Sequence, residues 1–451
     1  MVKRVVILGA GESGVGAALL AKSKGYDVFV SDFGAIKENY KKDLVLASIA
    51  FEENGHSDTL LEGAFLVIKS PGIAEKAPIV VKAIGLGIEL IDELEFAYTY
   101  TSKPIIGITG SNGKTTTTLL IYHLLKEAGV PVGLAGNVGH SLARQVVNDE
   151  ADVYVVEMSS FQLDAIKTFN PTIGIILNIT PDHLDRYNYD FEQYANSKMR
   201  IAKNMQKQNC LIHFEQDALL HQKVIQLDQS IQLAPIGFKK STKTVGFKSG
   251  NGLRIQFGNE DFEIEEKYWP LKGEHNVLNM LAAITAVLQY GLSKEDVIKH
   301  LPTFKNAPNR MEYISSIKGV DFINDSKATN VEAVYYALGS YKQDIIWIVG
   351  GQDKGNDYAQ IKELVEQKVK AMICLGLDNK KLIDFFSPFV SVIIETKDVK
   401  QAAQMALEYA AKHDVVLLSP ACASFDLFDN YAHRGDLFKK AVLELKSEVD
   451  G

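Results

Sequence analysis

The chain has 451 residues, room for about three domains at a prior of roughly 150 residues each, which excludes one small stapled module. Its 48 Lys and Arg against 56 Asp and Glu give a net charge of −8, arguing against a surface built to neutralise a nucleic-acid backbone. With 46% hydrophobic and 23% charged residues, and no apolar run near the ~20 residues that span a bilayer, the composition is that of a soluble globular protein.

The opening MVKRVVILGAG runs straight into a strand-like segment without the apolar core and small-residue cleavage site of a secretory leader, so a reducing cytoplasm is the expected compartment. Cys210, Cys374 and Cys422 are odd in number, far apart and without CxxC spacing, which suggests buried thiols rather than disulfides or a zinc site.

Short β-branched runs alternate with helical patterns in chain order: KRVVILG, DVFVSD, AFLVIKS, PIIGITG, DVYVVE, TIGIILN, VDFIND, DIIWIVGG, AMICLG and VVLLSP. The alternation predicts parallel sheets covered by helices, and so many strands would strain one twisted open sheet, so separate α/β units are expected. Boundaries at Thr101-Ser102-Lys103-Pro104, after the helical DELEFAYTY, and at Leu301-Pro302-Thr303 give units 1–100, 101–303 and 304–451. Between Lys240 and Lys267, two strand-like stretches around a Ser-Gly-Asn-Gly turn predict an antiparallel hairpin within the middle unit.

The first motif, Gly9-Ala10-Gly11-Glu12-Ser13-Gly14, follows the opening strand and lets backbone approach an anion at a helix N-terminus, with Asp32 ending the next strand. A nicotinamide dinucleotide, another diphosphate ligand and a purely structural turn are all compatible with it. The second motif, IIGITGSNGKTTTT, is a phosphate cradle in which backbone N–H groups and the helix dipole hold phosphate oxygens. Lys114 neutralises them, and Thr115 or Thr116 is placed to ligate magnesium. The usual GxxxxGK spacing is not met, because its first glycine would fall on Ile108; Gly107, Gly110 and Gly113 tighten the loop instead.

Glu157 ends the strand DVYVVE, where parallel α/β folds place their ligands, and is a candidate cation ligand or a capping carboxylate. His183 follows the next strand run in NITPDHLDRY. In FEQYANSKMRIAKNM, Phe191, Ala195, Lys198, Ala202 and Met205 share one helical stripe, so a lysine stands on an apolar face. It snorkels, pairs with an acid, or carries a covalent modification that turns its charge into a carboxylate-like one. Asn276 and Asn279 are one helical turn apart at the start of a long helix. In the last third, Asn324 to Asn330, Gly350 to Gly355 and Ser419 to Asp426 put Lys, Ser, Thr and Asp at three strand ends expected on one sheet edge, which suits an anionic small molecule.

Together these segments resemble the Mur ligase family over nearly the whole chain. The residues that carry the resemblance are GAGESG, SPGI from Ser70 to Ile73, GSNGKTTTT, GNVG from Gly136 to Gly139, EMSSFQL from Glu157, NITPDHLDRY, the Lys198 helix, GEHNVLN, PNRME, INDSKATN, GGQDKG and LSPACASFDLF. The resemblance implies an α/β fold of three domains: a Rossmann-like N-terminal domain for a UDP-bearing substrate, a P-loop-type central ATPase with the accessory hairpin, and a Rossmann-like C-terminal domain for an amino acid. It implies ATP against Gly110, Ser111, Asn112, Gly113, Lys114, Thr115 and Thr116, with Asn276, Asn279, Arg310, Asp325 and Lys327 also at the nucleotide. Two magnesium ions are implied, one on Thr115 and Glu157 and one on His183 and a carbamylated Lys198. The catalytic group is then Lys114, Glu157, His183 and Lys198.

By the same resemblance Gly11, Glu12, Ser13, Asp32, Ser70, Gly72, Asn137 and His183 face the UDP substrate, and Thr329, Lys354, Ser424 and Tyr431 form the amino-acid pocket. Phe161-Gln162-Leu163 and SPACASFD are similar to the branch that adds D-glutamate to UDP-N-acetylmuramoyl-L-alanine through an acyl phosphate in peptidoglycan precursor synthesis. Branches adding L-alanine, a diamino acid or a dipeptide are the near alternatives, and a folylpolyglutamate-synthase type of ligase, a non-catalytic nucleotide-binding assembly factor or an NAD dehydrogenase the distant ones. The implied protein is a monomer with no nucleic-acid or membrane partner. One departure stands out: after Ser31-Asp32 the chain has Phe33-Gly34, where a well-known subset of the family has Thr-Arg.

Overall fold

The buried β-branched runs pair into three sheets in the computed structural model, which describes residues 2–182, 184–271 and 273–450. The first sheet comprises β1 (Arg4–Leu8), β2 (Asp27–Ser31), β3 (Ala50–Glu52), β4 (Ala64–Lys69) and β5 (Glu89–Asp92), all parallel in the order β3-β2-β1-β4-β5. The chain changes direction of growth between β1 and β4, the place where doubly wound sheets open a crevice at their C-terminal edge. The glycine turn after β1 lies there, with Ser70 N donating to Leu8 O at 2.9 Å.

The second sheet has nine strands: β6 (Ile105–Thr109), β7 (Val132–Gly136), β8 (Val153–Glu157), β9 (Ile173–Ile176), β10 (Cys210–Phe214), β11 (Gln232–Gly237), β12 (Gly246–Ser249), β13 (Gly252–Phe257) and β14 (Glu260–Glu265). β6, fully buried, pairs in parallel with β8 on one side and β9 on the other. The expected hairpin forms between β12 and β13. It continues into a third antiparallel strand, β14, and joins the main sheet through β11, so the accessory element extends the sheet rather than standing apart from it.

The third sheet runs β15-β16-β20-β17-β18-β19, with β15 (Glu312–Ile317) antiparallel to β16 (Val320–Asn324). β17 (Ile345–Gly350), β18 (Val369–Leu375), β19 (Ile393–Thr396) and β20 (Val415–Ala421) continue it in parallel. The chain forms two compact units, one of residues through 270 with 278–304, the other of 271–277 with the chain from 305 onward.

Within the first unit, three acids join the first sheet to the second. Glu95 accepts from the backbone N–H of Lys167, Thr168 and Phe169 at 2.9, 2.6 and 3.0 Å, and Glu93 accepts from Ala143 N at 2.6 Å. Glu12 accepts from Ser141 N and from Arg144 Nε, both at 3.0 Å. Each acid satisfies donors at the start of a helix or turn that has no partner of its own.

Candidate active site

The loop after β6 is shaped by glycine. Gly113 has φ +84°, and a Cβ there would stand 2.3 Å from Asn279 Oδ1, so only glycine lets the helix Lys114–Glu127 begin against that amide. Ser111 N donates to Asn178 O at 3.0 Å and Asn112 N to Asn178 Oδ1 at 2.8 Å, while Ser111 Oγ donates to Thr180 O at 2.8 Å and lies 3.0 Å from Tyr194 OH. The segment leaving β9 therefore braces the loop from outside. Tyr194, one turn before Lys198, escaped the sequence reading because an aromatic on a buried stripe looks like ordinary core.

Lys114, the first residue of the helix, folds its ammonium back onto Gly110 O at 2.7 Å and Ser111 O at 2.8 Å. Lys198, 2% exposed, donates to the same Gly110 O at 2.8 Å and lies 4.7 Å from the centre of the Tyr194 ring. Burial, and then the like charge of Lys114, push the Lys198 amine well below the usual lysine range, against the pull of Asp182, Asp164 and Glu157. Snorkelling and a close ion pair are both absent for Lys198 among the described residues. Its helix is shorter than the stripe suggested, Phe191–Met199, with Arg200–Ala202 continuing as a 3₁₀ turn that keeps Ala202 on the buried side.

Glu157 is buried at the end of β8. Its Oε1 accepts from Asn137 Nδ2 at 2.9 Å, and its Oε2, equally buried, has no hydrogen-bond partner among the described residues. A buried carboxylate oxygen left bare is costly unless a cation or donor meets it. Gly136, at φ +94°, lets the end of β7 pass close to the backbone of β8: a Cβ there would meet the Glu157 backbone carbonyl oxygen at 2.1 Å. Thr116 and Thr117 are buried, and Thr117 Oγ1 donates to Asn279 Oδ1 at 3.3 Å. Asn276 and Asn279 are both buried on the helix Glu274–Tyr290. Among the described residues no three His, Cys, Asp or Glu side chains gather as a metal cluster. His183 lies outside the described residues.

At the first sheet, Asp32 spends its two oxygens on backbone: Oδ2 accepts from Ala10 N at 2.6 Å and Oδ1 from Gly34 N at 2.8 Å. Gly11 precedes the helix Glu12–Ser23, Ser13 lies in its first turn, and Ser70 Oγ is 3.5 Å from Gly9 O. Gly72 is exposed and Asn137 is turned to Glu157, while Glu12 is engaged with Ser141 and Arg144.

In the second unit the three polar loops do share an edge, leaving the C-terminal ends of the adjacent strands β16, β20 and β17. Asp325 is buried, accepts from Met311 N at 3.2 Å and Ser419 Oγ at 3.1 Å, and burial pushes its carboxyl up to about 7. Lys327 Nζ stands 3.7 Å from the centre of the Tyr431 ring. Thr329 and Arg310 are half-buried, Lys354 is exposed and Ser424 is buried.

Arg434, which sequence reasoning missed, ties these loops together. Only 1% exposed, it donates to Ser326 Oγ and Ser326 O at 3.0 and 2.9 Å, to Cys422 O at 3.2 Å and to Gly350 O at 3.3 Å. One acceptor residue comes from each of the three loops.

A phosphate-type glycine loop on a central parallel strand, a lysine at its helix start and a buried carboxylate with one bare oxygen on the adjacent strand define an α/β nucleotide-binding protein. The chain matches the Mur ligase middle domain at residues 108–287, the Mur ligase glutamate ligase domain at 309–422 and the MurD N-terminal domain at 4–79. It is 48% identical to the UDP-N-acetylmuramoylalanine–D-glutamate ligase of Porphyromonas gingivalis, covering 98% of each chain, and 46% identical to that of Cytophaga hutchinsonii, covering 99% of this chain and 100% of the relative. Among solved structures, UDP-N-acetylmuramate-alanine ligase MurC from Thermotoga maritima has the same fold at TM-score 0.63 and 19% identity, covering 99% of this chain and 100% of that one. MurF ligase of Thermotoga maritima in complex with ADP aligns at 0.63 and 18% identity, covering 95% and 99%. The chain belongs to the Mur ligase family and is an ATP-dependent ligase.

Proposed function

We propose that this chain joins D-glutamate to UDP-N-acetylmuramoyl-L-alanine, driven by ATP, in the synthesis of peptidoglycan precursors. The observation that carries the reading is near full-length identity of 44–48% to D-glutamate ligases, in a chain whose phosphate loop is built for a nucleotide. Residues 1–100 hold the UDP substrate, 101–303 the ATP and 304–451 the amino acid. The substrate carboxylate takes the terminal phosphoryl group of ATP to give an acyl phosphate, and the amine of D-glutamate then displaces phosphate to form the amide.

Lys114 and the loop from Gly110 to Thr116 hold and neutralise the phosphates, Lys114 exchanging its bonds to the Gly110 and Ser111 carbonyls for phosphate oxygens. The bare Glu157 Oε2 and the Thr115 hydroxyl suit magnesium, which would supply charge neutralisation on the transferring phosphoryl group. Burial biases Lys198 toward the neutral amine, the form that adds CO2 to give a carbamate and a proton. That carbamate, with His183, would complete a second cation site. Asn276, Asn279, Arg310, Asp325 and Lys327 serve the nucleotide; Thr329, Lys354, Ser424 and Tyr431 serve D-glutamate; Asn137 and His183 face the muramoyl-alanine end, and Gly11, Glu12, Ser13, Asp32, Ser70 and Gly72 the rest of the UDP substrate.

Among the described residues no helix is long and apolar enough to cross a membrane. We read the working form as a cytoplasmic monomer. The test is an amino-acid panel scored for ADP release with UDP-N-acetylmuramoyl-L-alanine present. D-Glutamate alone should support turnover, and equal turnover with L-alanine or a diamino acid would overturn the assignment.

A further inference from the structure

The loop leaving β17 is fastened to the end of β20 and the loop beyond it on both sides of the exposed Lys354. Ahead of that lysine, Gln352 and Ala423 form an isolated antiparallel bridge, Gln352 N donating to Ala423 O at 2.8 Å and Ala423 N to Gln352 O at 3.1 Å. Past it, Asn356 Nδ2 donates to Ala421 O at 3.0 Å. Ser424 follows directly on the bridge. Asp353 winds the residues between the two braces into one turn: its Oδ1 accepts from Gly355 N at 2.7 Å and Asn356 N at 3.1 Å, and its Oδ2 from the buried Tyr358 OH at 2.6 Å. Lys381 Nζ, on the helix Lys380–Phe386, donates to both Asp353 oxygens at 3.0 and 3.2 Å and to Asn356 O at 2.7 Å. Partial burial works to raise the Asp353 carboxyl, but the bonds from Tyr358, Lys381 and the turn's own amides outweigh it and hold that carboxyl below the usual carboxylate range. A turn wound on an aspartate is ordinary loop chemistry. Such a turn does not require a brace to a neighbouring loop on each side of one lysine.

We propose that Asn356, with Asp353 shaping its turn, fixes the reach between Lys354 and Ser424 and thereby selects the chain length of the acidic amino acid, an inference that rests on the reading of this sheet edge as the amino-acid site. A dicarboxylic amino acid carries a carboxylate at each end of a short aliphatic chain. A cation and a hydroxyl on two independent loops would follow a chain one methylene longer or shorter. On loops braced together they cannot follow, and the wrong homologue leaves one of them without its partner. Asn356 and Asp353 are positioning residues, acting through Lys354 and Ser424.

The test is the kcat/KM of the full chain for D-glutamate, D-aspartate and D-2-aminoadipate, scored as ADP release with ATP and UDP-N-acetylmuramoyl-L-alanine present, in wild type, Asn356→Ala, Asn356→Asp and Asp353→Asn. Alanine removes the brace; aspartate keeps its size and turns a donor into an acceptor facing Ala421 O. Asp353→Asn keeps an acceptor for the turn but loses the charge that holds Lys381. Each variant is expected to narrow the preference for D-glutamate over its two homologues roughly tenfold, within the range one methylene is worth, with KM for ATP unchanged. A ratio of two kcat/KM values does not depend on how much of a variant is folded. Undiminished preference in the variants, or an equal proportional loss with all three amino acids, overturns the ruler while leaving the D-glutamate assignment standing. A wild type that does not favour D-glutamate overturns the assignment and the ruler with it.

Discussion

Two lysines converge on one carbonyl, Gly110 O, and only one of them needs to be charged there. Lys114 stands at a helix start facing the phosphate loop, whereas burial and its charged neighbour weaken the hold of Lys198 on its proton. Replacing Lys114 with Ala should lower kcat at least roughly a hundredfold, the cost of one transition-state electrostatic contact, with UDP binding unchanged in titration. Lys198→Ala should also lose activity, and short-chain carboxylates should restore part of it by standing where the carbamate would; full turnover in the variant without additive would return Lys198 to a packing role. Glu157 was legible because a carboxylate closing an apolar strand of a parallel sheet is a placement with few uses. Arg434 was not, because its meaning lies in carbonyls contributed by Ser326, Gly350 and Cys422, which no local pattern connects. Arg434→Met would strip several buried acceptors of their donor, at on the order of 1–3 kcal/mol each. A large drop in melting temperature is expected, together with a raised KM for D-glutamate; Arg434→Lys should fall between.

Among elements, the strands visible in the sequence are those with long β-branched runs, and three of the strands it hides have physical reasons for being quiet. β3 is three residues long at a sheet edge, β7 carries glycine at both Gly133 and Gly136, and β11 carries Pro235 between two partners, a residue whose missing N–H argues against an inner strand. The helix Glu93–Tyr98 was visible, but not that its acids point into the joint with the second sheet. Burial pushes the Glu93 carboxyl up to about 8 and that of neighbouring Asp92 up to about 7. An acid whose pKa rises on folding holds its proton more tightly in the folded chain, so its contribution to stability declines as pH climbs from the ordinary carboxylate range to the raised value. Glu93→Gln keeps an acceptor for Ala143 N and removes the titration. Its melting temperature should therefore gain on the wild type steadily between about pH 5 and about pH 8. Buried His213 and His275, held down at about 4, give a slope of opposite sign that both proteins share and that cancels in the difference. A gap between the two melting curves that stays constant with pH would place the raised acid elsewhere.

For the whole molecule, the three-sheet plan was readable from alternating periods and from two proline-marked boundaries, since each sheet follows from its own stretch of chain. What the sequence did not disclose is how the first two sheets share donors and acceptors, because Glu12, Glu93 and Glu95 reach partners 50 to 132 residues away. Rapid ADP release should require ATP, the muramoyl substrate and D-glutamate together, measurable by a coupled assay with each omitted in turn. An acyl phosphate exposed to water would otherwise be hydrolysed. The three-acid joint also bears on modularity. Transplanting residues 1–100 into a relative, or grafting a foreign nucleotide-binding module in their place, would strand the amide protons of Ser141, Ala143 and Lys167 to Phe169 unless the donor supplied carboxylates at matching positions. Chimaeras cut at the apparent linker near Pro104 should express poorly, and those that carry all three glutamates across should recover.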